Sequence, residues 1–363
     1  MSNTTTLRPN TTAGFSLDYY YALFVNPPLV VGIFRFGYPI TFFFGFIGSI
    51  ASLLTFSRLS LRKISTGCLF MVLSISDTIY LCMCVIDFVE FGLEIPFYHH
   101  IQYDSFCRFR SFGMYVSQVL SSWTLVLISF DRWIRTRFPY KSGSLCTPKK
   151  ALLLVSIILL LDIGIHSHIL TPLYGMLIPG FSMVACGPTI YSGSYFIFYF
   201  LTWSIIQILI ISLIPVVLML IFLTDIYINI QARKRAVVQP TNGSHEHNRS
   251  QHQKNIQRQM FILMLTSIGI FLLTTLPVAS YKITAARQTN ISTSIMQIAG
   301  IWIGLGWFQS LNYALNFYSH CLTSTLFRKE FILQMKYLAG DKRARGNKME
   351  ITATAFGTQT QLR

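Results

Sequence analysis

Two acidic residues that stand beside or within apolar segments are the first candidates for chemistry. Asp131 and Arg132 are adjacent where an apolar run ends, and a neighbouring acid and base can form an ion pair there. Asp77 lies in the segment LSISD, alone among apolar residues. An ionised carboxylate inside a bilayer is costly, so a lone acid in such a segment indicates a functional site.

The chain shows no constellation typical of an enzyme. Its seven cysteines lack zinc-binding spacing, and there is no Ser/His/Asp set and no glycine-rich phosphate loop. His166 and His168, with Asp162 one turn earlier, indicate a local polar patch, with a proton path as the alternative. We therefore expect no catalytic residue and no enzymatic activity.

The composition is that of a membrane protein. Of the 363 residues, 52% are hydrophobic and 12% are charged, whereas soluble domains carry about 25% charged residues. So much apolar material excludes a disordered chain and argues against a soluble enzyme.

Seven apolar stretches are long enough to cross a bilayer as helices, because about 20 residues span its hydrocarbon core. They cover residues 36–57, 67–90, 108–134, 151–171, 195–228, 260–283 and 294–319. We predict an all-α membrane protein, a seven-transmembrane helix bundle.

Basic residues set the expected orientation. Most of the 29 Lys and Arg residues lie after the first and third stretches, between the fifth and sixth, and in the tail. Cytoplasmic loops carry such an excess, so we expect the N-terminus outside and the C-terminus in the cytoplasm, in the plasma membrane. The net charge of +16 then faces anionic lipid and a cytosolic partner, and it does not indicate nucleic acid.

The chain divides into three expected regions. Residues 1–34 form an extracellular tail, residues 35–320 the membrane domain, and residues 321–363 a short helix and a cytoplasmic tail. Apolar residues such as Phe327 and Phe331 recur near the end of the chain with basic residues between them. This pattern predicts an amphipathic eighth helix lying on the membrane from about residue 324 to 336.

One spacing gives the strongest functional signal. Cys107 lies 25 residues before Arg132, and Pro139 follows Arg132 by seven residues. Here the chain resembles a rhodopsin-like (class A) G-protein-coupled receptor, with Asp131 and Arg132 at that family's D-R-Y motif and Trp133 replacing the tyrosine. The resemblance implies an extracellular ligand and a heterotrimeric G protein, which Asp131, Arg132 and Pro139 would help to couple.

The resemblance also implies a polar pocket inside the bundle. Asp77, Ser121, Asn312 and Asn316 stand where relatives bind a sodium ion that favours the inactive state. Carboxylate, hydroxyl and amide oxygens suit such a hard cation. The alternative is a water-filled hydrogen-bond network joining three helices. We expect no cofactor, and a sodium ion at Asp77 is the one ion that the resemblance implies.

The switch positions of the family are only partly kept. Pro215 and Pro277 stand where relatives kink their fifth and sixth helices, and Phe271 is the expected packing hinge. Thr275 replaces the aromatic toggle, and His320 replaces the tyrosine near the end of the seventh helix.

On the outer side, the resemblance implies a disulfide between Cys107 and Cys186, with free thiols as the alternative. Asn3 and Asn10 begin N-T-T sequons in the tail, which predicts glycosylation. By analogy with the family, we expect Arg132 to pair with its neighbour Asp131 in the resting state.

The ligand class is the least determined feature. Met114 and Ser310 replace the residues that amine receptors and visual pigments use to bind their ligands. An acidic mouth with aromatic neighbours suits a cationic peptide, although a merely solvated rim has the same composition. The acids are Asp87, Glu90, Glu94 and Asp104. The end of the seventh helix resembles that of invertebrate neuropeptide receptors, which favours a peptide over a chemosensory or lipid ligand.

A transporter or channel is the alternative from another class. Transporters usually show two related halves, and the seven stretches show no such symmetry.

Overall fold

The computed structural model describes residues 32–89, 93, 103–176, 186–189, 192–236, 244–287 and 295–339. Eight main helices run through this part of the chain: α1 Tyr38–Phe56, α2 Ser65–Asp87, α3 Tyr103–Arg137, α4 Pro148–His166, α5 Ile214–Ala236, α6 Ser244–Arg287, α7 Ile295–Thr323 and α8 Thr325–Leu338. The predicted bundle of seven helices, followed by an eighth, is confirmed.

Six helical segments of the described residues are long and apolar enough to cross a membrane. They are Ile33–Phe56, Ser65–Asp87, Asp104–Arg137, Pro148–Leu170, Ser194–Ala232 and Phe261–Tyr281. The seventh helix of the bundle, α7, has 29 residues and packs against α6 and α1.

The fifth span is not a regular helix. It consists of helices Ser194–Ile197 and Ser204–Ile208, two π-helical segments, Phe198–Trp203 and Leu209–Leu213, and finally α5. The second π segment ends just before Pro215, which has no backbone N–H to donate. A wider turn at this point is a common way for a helix to accommodate an irregular hydrogen-bond pattern.

Polar side chains cap the first turns of α4 and α8. Thr147 caps α4 by accepting a hydrogen bond from the backbone N–H of Lys150, and Pro148 supplies the first helical residue. Ser324 caps α8 in the same way, accepting from the N–H of Phe327 at 3.2 Å. Phe327 is buried against α1 and α7, which anchors α8 to the bundle.

Burial follows the pattern of a membrane bundle. Large apolar side chains such as Leu160, Leu161 and Leu273 face outward, where lipid can cover them. The inner half of the bundle holds an apolar core that includes Phe70, Met219 and other residues of α1–α6 and α8. Many small and polar side chains lie buried between the helices, where only other protein groups can satisfy them.

A short antiparallel hairpin lies against the outer end of α3. Strands β1, Tyr174–Met176, and β2, Cys186–Pro188, pair with Gly175 opposite Gly187. A Cβ atom on Gly175 would come within 2.5 Å of the Asp104 carboxylate, so a larger residue there would displace the exposed Asp104 side chain.

Candidate functional site

The Asp77 carboxylate joins three helices in the middle of the bundle. Ser121 of α3 donates to one carboxylate oxygen at 2.7 Å, and the Asn316 amide of α7 donates to the other at 2.7 Å. Asp77 is only 1% exposed. The sequence prediction that Asp77, Ser121 and Asn316 lie together therefore agrees with the structure.

Unpartnered polar atoms remain in the same region. Both side-chain polar atoms of Asn312 and the Oδ1 of Asn316 are buried and have no hydrogen-bond partner within the described part of the chain. Leaving such groups unsatisfied costs about 1–3 kcal/mol each. The Asn316 amide oxygen, the Asp77 carboxylate and the Ser121 hydroxyl form a set of oxygen donors that suits a sodium ion or ordered water, and Asn312 lies one turn before Asn316 on α7.

A second polar cluster lies at the inner end of α3. Asp131 accepts hydrogen bonds from the hydroxyls of Ser65 and Thr66, the latter at 2.6 Å, and pairs with Arg135 at 3.0 Å. Ser65 and Thr66 are the first two residues of α2. The carboxylate therefore sits at a helix N-terminus, where the helix dipole favours negative charge.

The family resemblance led us to expect an ion pair between Arg132 and Asp131, but the two side chains do not form one. Its guanidinium donates instead to the Thr66 hydroxyl, which itself donates to Asp131. Successive residues of a helix point about 100° apart, so adjacent side chains reach different partners. Asp131 takes its charged partner from Arg135, one turn further along α3, because that spacing places both on one face.

The Arg132 side chain is poorly satisfied for a charged group. The residue is 6% exposed, and its Nε has no hydrogen-bond partner in the described structure. A buried guanidinium with a free donor can gain further acceptors when a neighbouring helix or a partner protein moves.

The loop after α3 presents aromatic side chains. Pro139 begins the short helix Pro139–Leu145, where its missing N–H costs nothing. Tyr140, the next residue, is fully exposed, and Phe138 is 43% exposed. Both aromatic side chains lie just beyond the end of α3, the helix that carries Arg132.

The switch positions predicted from the family resemblance lie inside the bundle. Pro277 is within α6, and Phe271 is buried one and a half turns before it. Thr275 is buried, and its hydroxyl has no partner among the described residues. His320 bonds Ser267 of α6 at 3.1 Å and is surrounded by aromatic rings.

Comparison with protein families decides the identity of the bundle. Residues 49–316 match the model of the 7 transmembrane receptor (rhodopsin family). The chain belongs to the rhodopsin family of seven-transmembrane receptors. Among curated proteins, no sequence matches the receptor.

The outer face of the receptor carries the expected disulfide. Cys107 and Cys186 are bonded, with their Cα atoms 5.6 Å apart, and the bond ties β2 to α3. The prediction of this bridge is confirmed.

The acidic mouth is only partly as predicted. Asp87 is buried and forms an ion pair with Arg110 of α3, so it is not a free acid at the rim of the receptor. Asp104 is exposed, with Arg108 at 4.0 Å. Met114 packs against a buried cluster around Tyr80 and Tyr313. Predictions on Glu90, Glu94, Asn3 and Asn10 lie outside the described residues.

The receptor contains functional candidates that sequence reasoning passed over. Ser65, Thr66 and Arg135 complete the inner cluster, yet hydroxyl and basic residues near a loop carry no distinctive signal. Asp225 is different, because it is a lone acid near the end of an apolar run. Like Asp77, Asp225 is an acid in a largely apolar segment, which indicates a functional site.

A buried acid and histidine face each other in α4 of the receptor. His166 Nδ1 lies 2.8 Å from the Asp162 carboxylate and 3.1 Å from the Asp162 carbonyl. The His166 ring contacts Trp203, and so does that of His168. The predicted local polar patch is thus present between the fourth and fifth spans.

Proposed function

We propose that this receptor binds an extracellular ligand and activates a heterotrimeric G protein. The observation that carries the proposal is the buried Arg132 guanidinium at the inner end of α3. Among the described residues, only the Thr66 hydroxyl accepts a hydrogen bond from it. A partner that supplies acceptors to this guanidinium would favour a different helix arrangement, and a ligand favouring that arrangement would strengthen the partner's binding.

The neighbouring surface supports a protein partner on this side. Tyr140 is fully exposed on the short helix Pro139–Leu145, and Lys141 and Lys149 are exposed nearby. Exposed aromatic and basic groups around a buried charge suit a partner with acidic and apolar residues. Receptors of this family are generally not enzymes, and our proposal includes no catalytic step.

For the ligand, we propose a peptide with cationic and aromatic side chains. Asp104 offers an exposed carboxylate at the outer end of α3. Tyr115, Tyr174, Tyr195 and Tyr199 form an aromatic group beneath the hairpin, between α3 and the fifth span. Acidic and aromatic groups together favour cationic ligands.

We propose that the receptor lies in the plasma membrane, with its N-terminus outside the cell. The basic loops support this orientation. We further propose that the pocket around Asp77 holds a sodium ion in the resting receptor, because the unpartnered amide oxygens of Asn312 and Asn316 need a polar occupant.

One experiment separates a receptor from a transporter. Purified receptor in lipid nanodiscs is mixed with each class of heterotrimeric G protein, and nucleotide exchange is measured with and without a library of cationic peptides. The same chain in sealed vesicles is tested for flux of labelled solutes. Peptide-dependent exchange without flux supports the proposal, whereas flux without exchange on any G protein contradicts it.

A further inference from the structure

Trp133 connects the inner ends of α3 and α5. Its indole Nε1 donates to the Asp225 carboxylate at 2.7 Å. Asp225 also accepts from the Asn229 amide at 2.9 Å, and the Asn229 Oδ1 accepts from Arg137 at 2.9 Å. Two residues of α3 and two of α5 thus form one continuous chain of hydrogen bonds, which we call the α3–α5 clasp: Trp133, Arg137, Asp225 and Asn229.

Aromatic packing shields the central bond of the clasp. The Trp133 ring stacks on Phe130 at a centroid distance of 5.8 Å and contacts Phe222 of α5 at 5.7 Å. Phe138 meets it edge-on at 5.8 Å. A hydrogen bond to a carboxylate is stronger where water is partly excluded, so the clasp ties the two helix ends more firmly than a solvated contact would.

The clasp fixes the direction in which Arg132 points. Arg132 and Trp133 are adjacent in α3, so their side chains leave the helix about 100° apart. With Trp133 held on α5, Arg132 is directed toward Thr66 of α2, as the structure shows. Turning the end of α3 enough to release Arg132 from Thr66 would therefore strain the bond between Trp133 and Asp225.

We propose that Trp133 and Asp225 are positioning residues that keep Arg132 in its buried arrangement and so restrain G-protein activation. This inference rests on the proposed function. When the bond between Trp133 and Asp225 is lost, the inner ends of α3 and α5 gain freedom, and the receptor reaches the signalling arrangement more often without ligand.

The test compares three substitutions in full-length receptor reconstituted in nanodiscs. Trp133→Phe keeps the aromatic packing and removes the N–H, Asp225→Leu removes the acceptor, and Asp225→Asn keeps an acceptor without the charge. We expect ligand-independent nucleotide exchange to rise roughly threefold or more in the first two, and less in Asp225→Asn. Ligand-independent exchange in the double variant Trp133→Phe/Asp225→Leu should be no higher than in either single variant.

The chain supplies a matched control. Trp123, also in α3, donates from its indole to the Ile210 carbonyl of the fifth span at 3.1 Å. Trp123→Phe also removes an indole hydrogen bond between the same two spans, but away from Arg132. It should lower the thermal unfolding midpoint and leave ligand-independent exchange unchanged. An equal rise in Trp123→Phe would overturn the positioning role, because any weakened packing would then suffice.

Two readouts separate this inference from the proposed function. The thermal midpoints of wild type, the two single variants Trp133→Phe and Asp225→Leu, and the double variant give a coupling between the two side chains. Additive midpoints would overturn the clasp whatever the receptor activates. If wild type drives exchange and the variants match it, the positioning role alone is lost. If wild type drives no exchange on any G protein, the proposed function is lost and this inference with it.

Discussion

Asp131 forms its ion pair with Arg135, one turn along α3, while the adjacent Arg132 donates to Thr66 of α2. The Thr66 hydroxyl stands between the two, accepting from Arg132 and donating to Asp131. A single hydroxyl group therefore links the acid and the base of the motif across two helices.

We predict that Thr66→Val raises ligand-independent nucleotide exchange. Valine keeps the shape of threonine and removes the hydroxyl. Arg132 then loses the hydroxyl that accepts its hydrogen bond, and Asp131 loses a hydrogen-bond donor. A matched control is Thr78→Val, also in α2, because the Thr78 hydroxyl bonds only the Ser74 carbonyl of its own helix among the described contacts. The prediction is wrong if both variants give the exchange rate of wild type.

We predict that sodium stabilises the resting receptor through Asp77. The thermal midpoint of wild type should be higher in sodium chloride than in equimolar potassium chloride, since a bound ion adds its binding free energy to the folded state. Asp77→Asn should remove this difference because it removes the negative charge of the site.

The control for the Asp77 experiment is Asp104→Asn, which removes an exposed acid outside the bundle. It should keep the sodium effect. Equal midpoints of wild type in the two salts would favour the alternative, a pocket filled by water.

Much of the fold was accessible from the sequence. Apolar stretches of about 20 residues predict membrane helices because the bilayer core excludes unpaired backbone groups. The helix ends were less accessible: α3 begins at Tyr103, five residues before the predicted start, and α5 continues to Ala236 beyond the predicted end. Polar turns of a helix that extend past the bilayer carry no apolar signal.

Single residues of the site could be predicted from the sequence, but their hydrogen-bond and ion-pair partners could not. Asp77 stood out because a lone acid in an apolar run is rare, and Arg132 stood out through its spacing from Cys107 and Pro139. Their partners depend on how each helix is rotated against its neighbours, which no local pattern records. For that reason Asp87 was assigned to the ligand mouth, whereas Arg110 of α3 neutralises it in the folded bundle.

We predict that the disulfide stabilises the outer face. The bond between Cys107 and Cys186 closes a loop with a sequence separation of 79, which is worth about 4.5 kcal/mol on the chain-entropy model. The double variant Cys107→Ser/Cys186→Ser should unfold at a clearly lower temperature than wild type. Cys321→Ser, which removes a free thiol, serves as the control. Similar midpoints for the two variants would contradict the prediction.

We predict that Cys146 is a slow nucleophile at neutral pH. Partial burial, and then the negative charge of Asp131, raise the pKa of the Cys146 thiol to about 11. Only the thiolate reacts with iodoacetamide, so the labelling rate should climb about tenfold per pH unit up to pH values near that pKa.

Site-resolved mass spectrometry measures the labelling rate of Cys146. A cysteine introduced at the exposed position Lys141 is the reference, and its rate should level off near the ordinary thiol pKa of about 8.5. A plateau for Cys146 at the same pH as the reference would show that its thiol is not perturbed.

Nucleotide exchange on purified Arg132→Ala receptor in nanodiscs measures whether Arg132 couples this receptor to a G protein. We predict that Arg132→Ala abolishes both ligand-independent and peptide-stimulated exchange. The thermal unfolding midpoint of the variant should show that it is still folded. Lys63→Ala, which removes an exposed basic residue of the loop between α1 and α2, should retain both activities. Wild-type exchange rates in Arg132→Ala would show that Arg132 does not couple the receptor to a G protein.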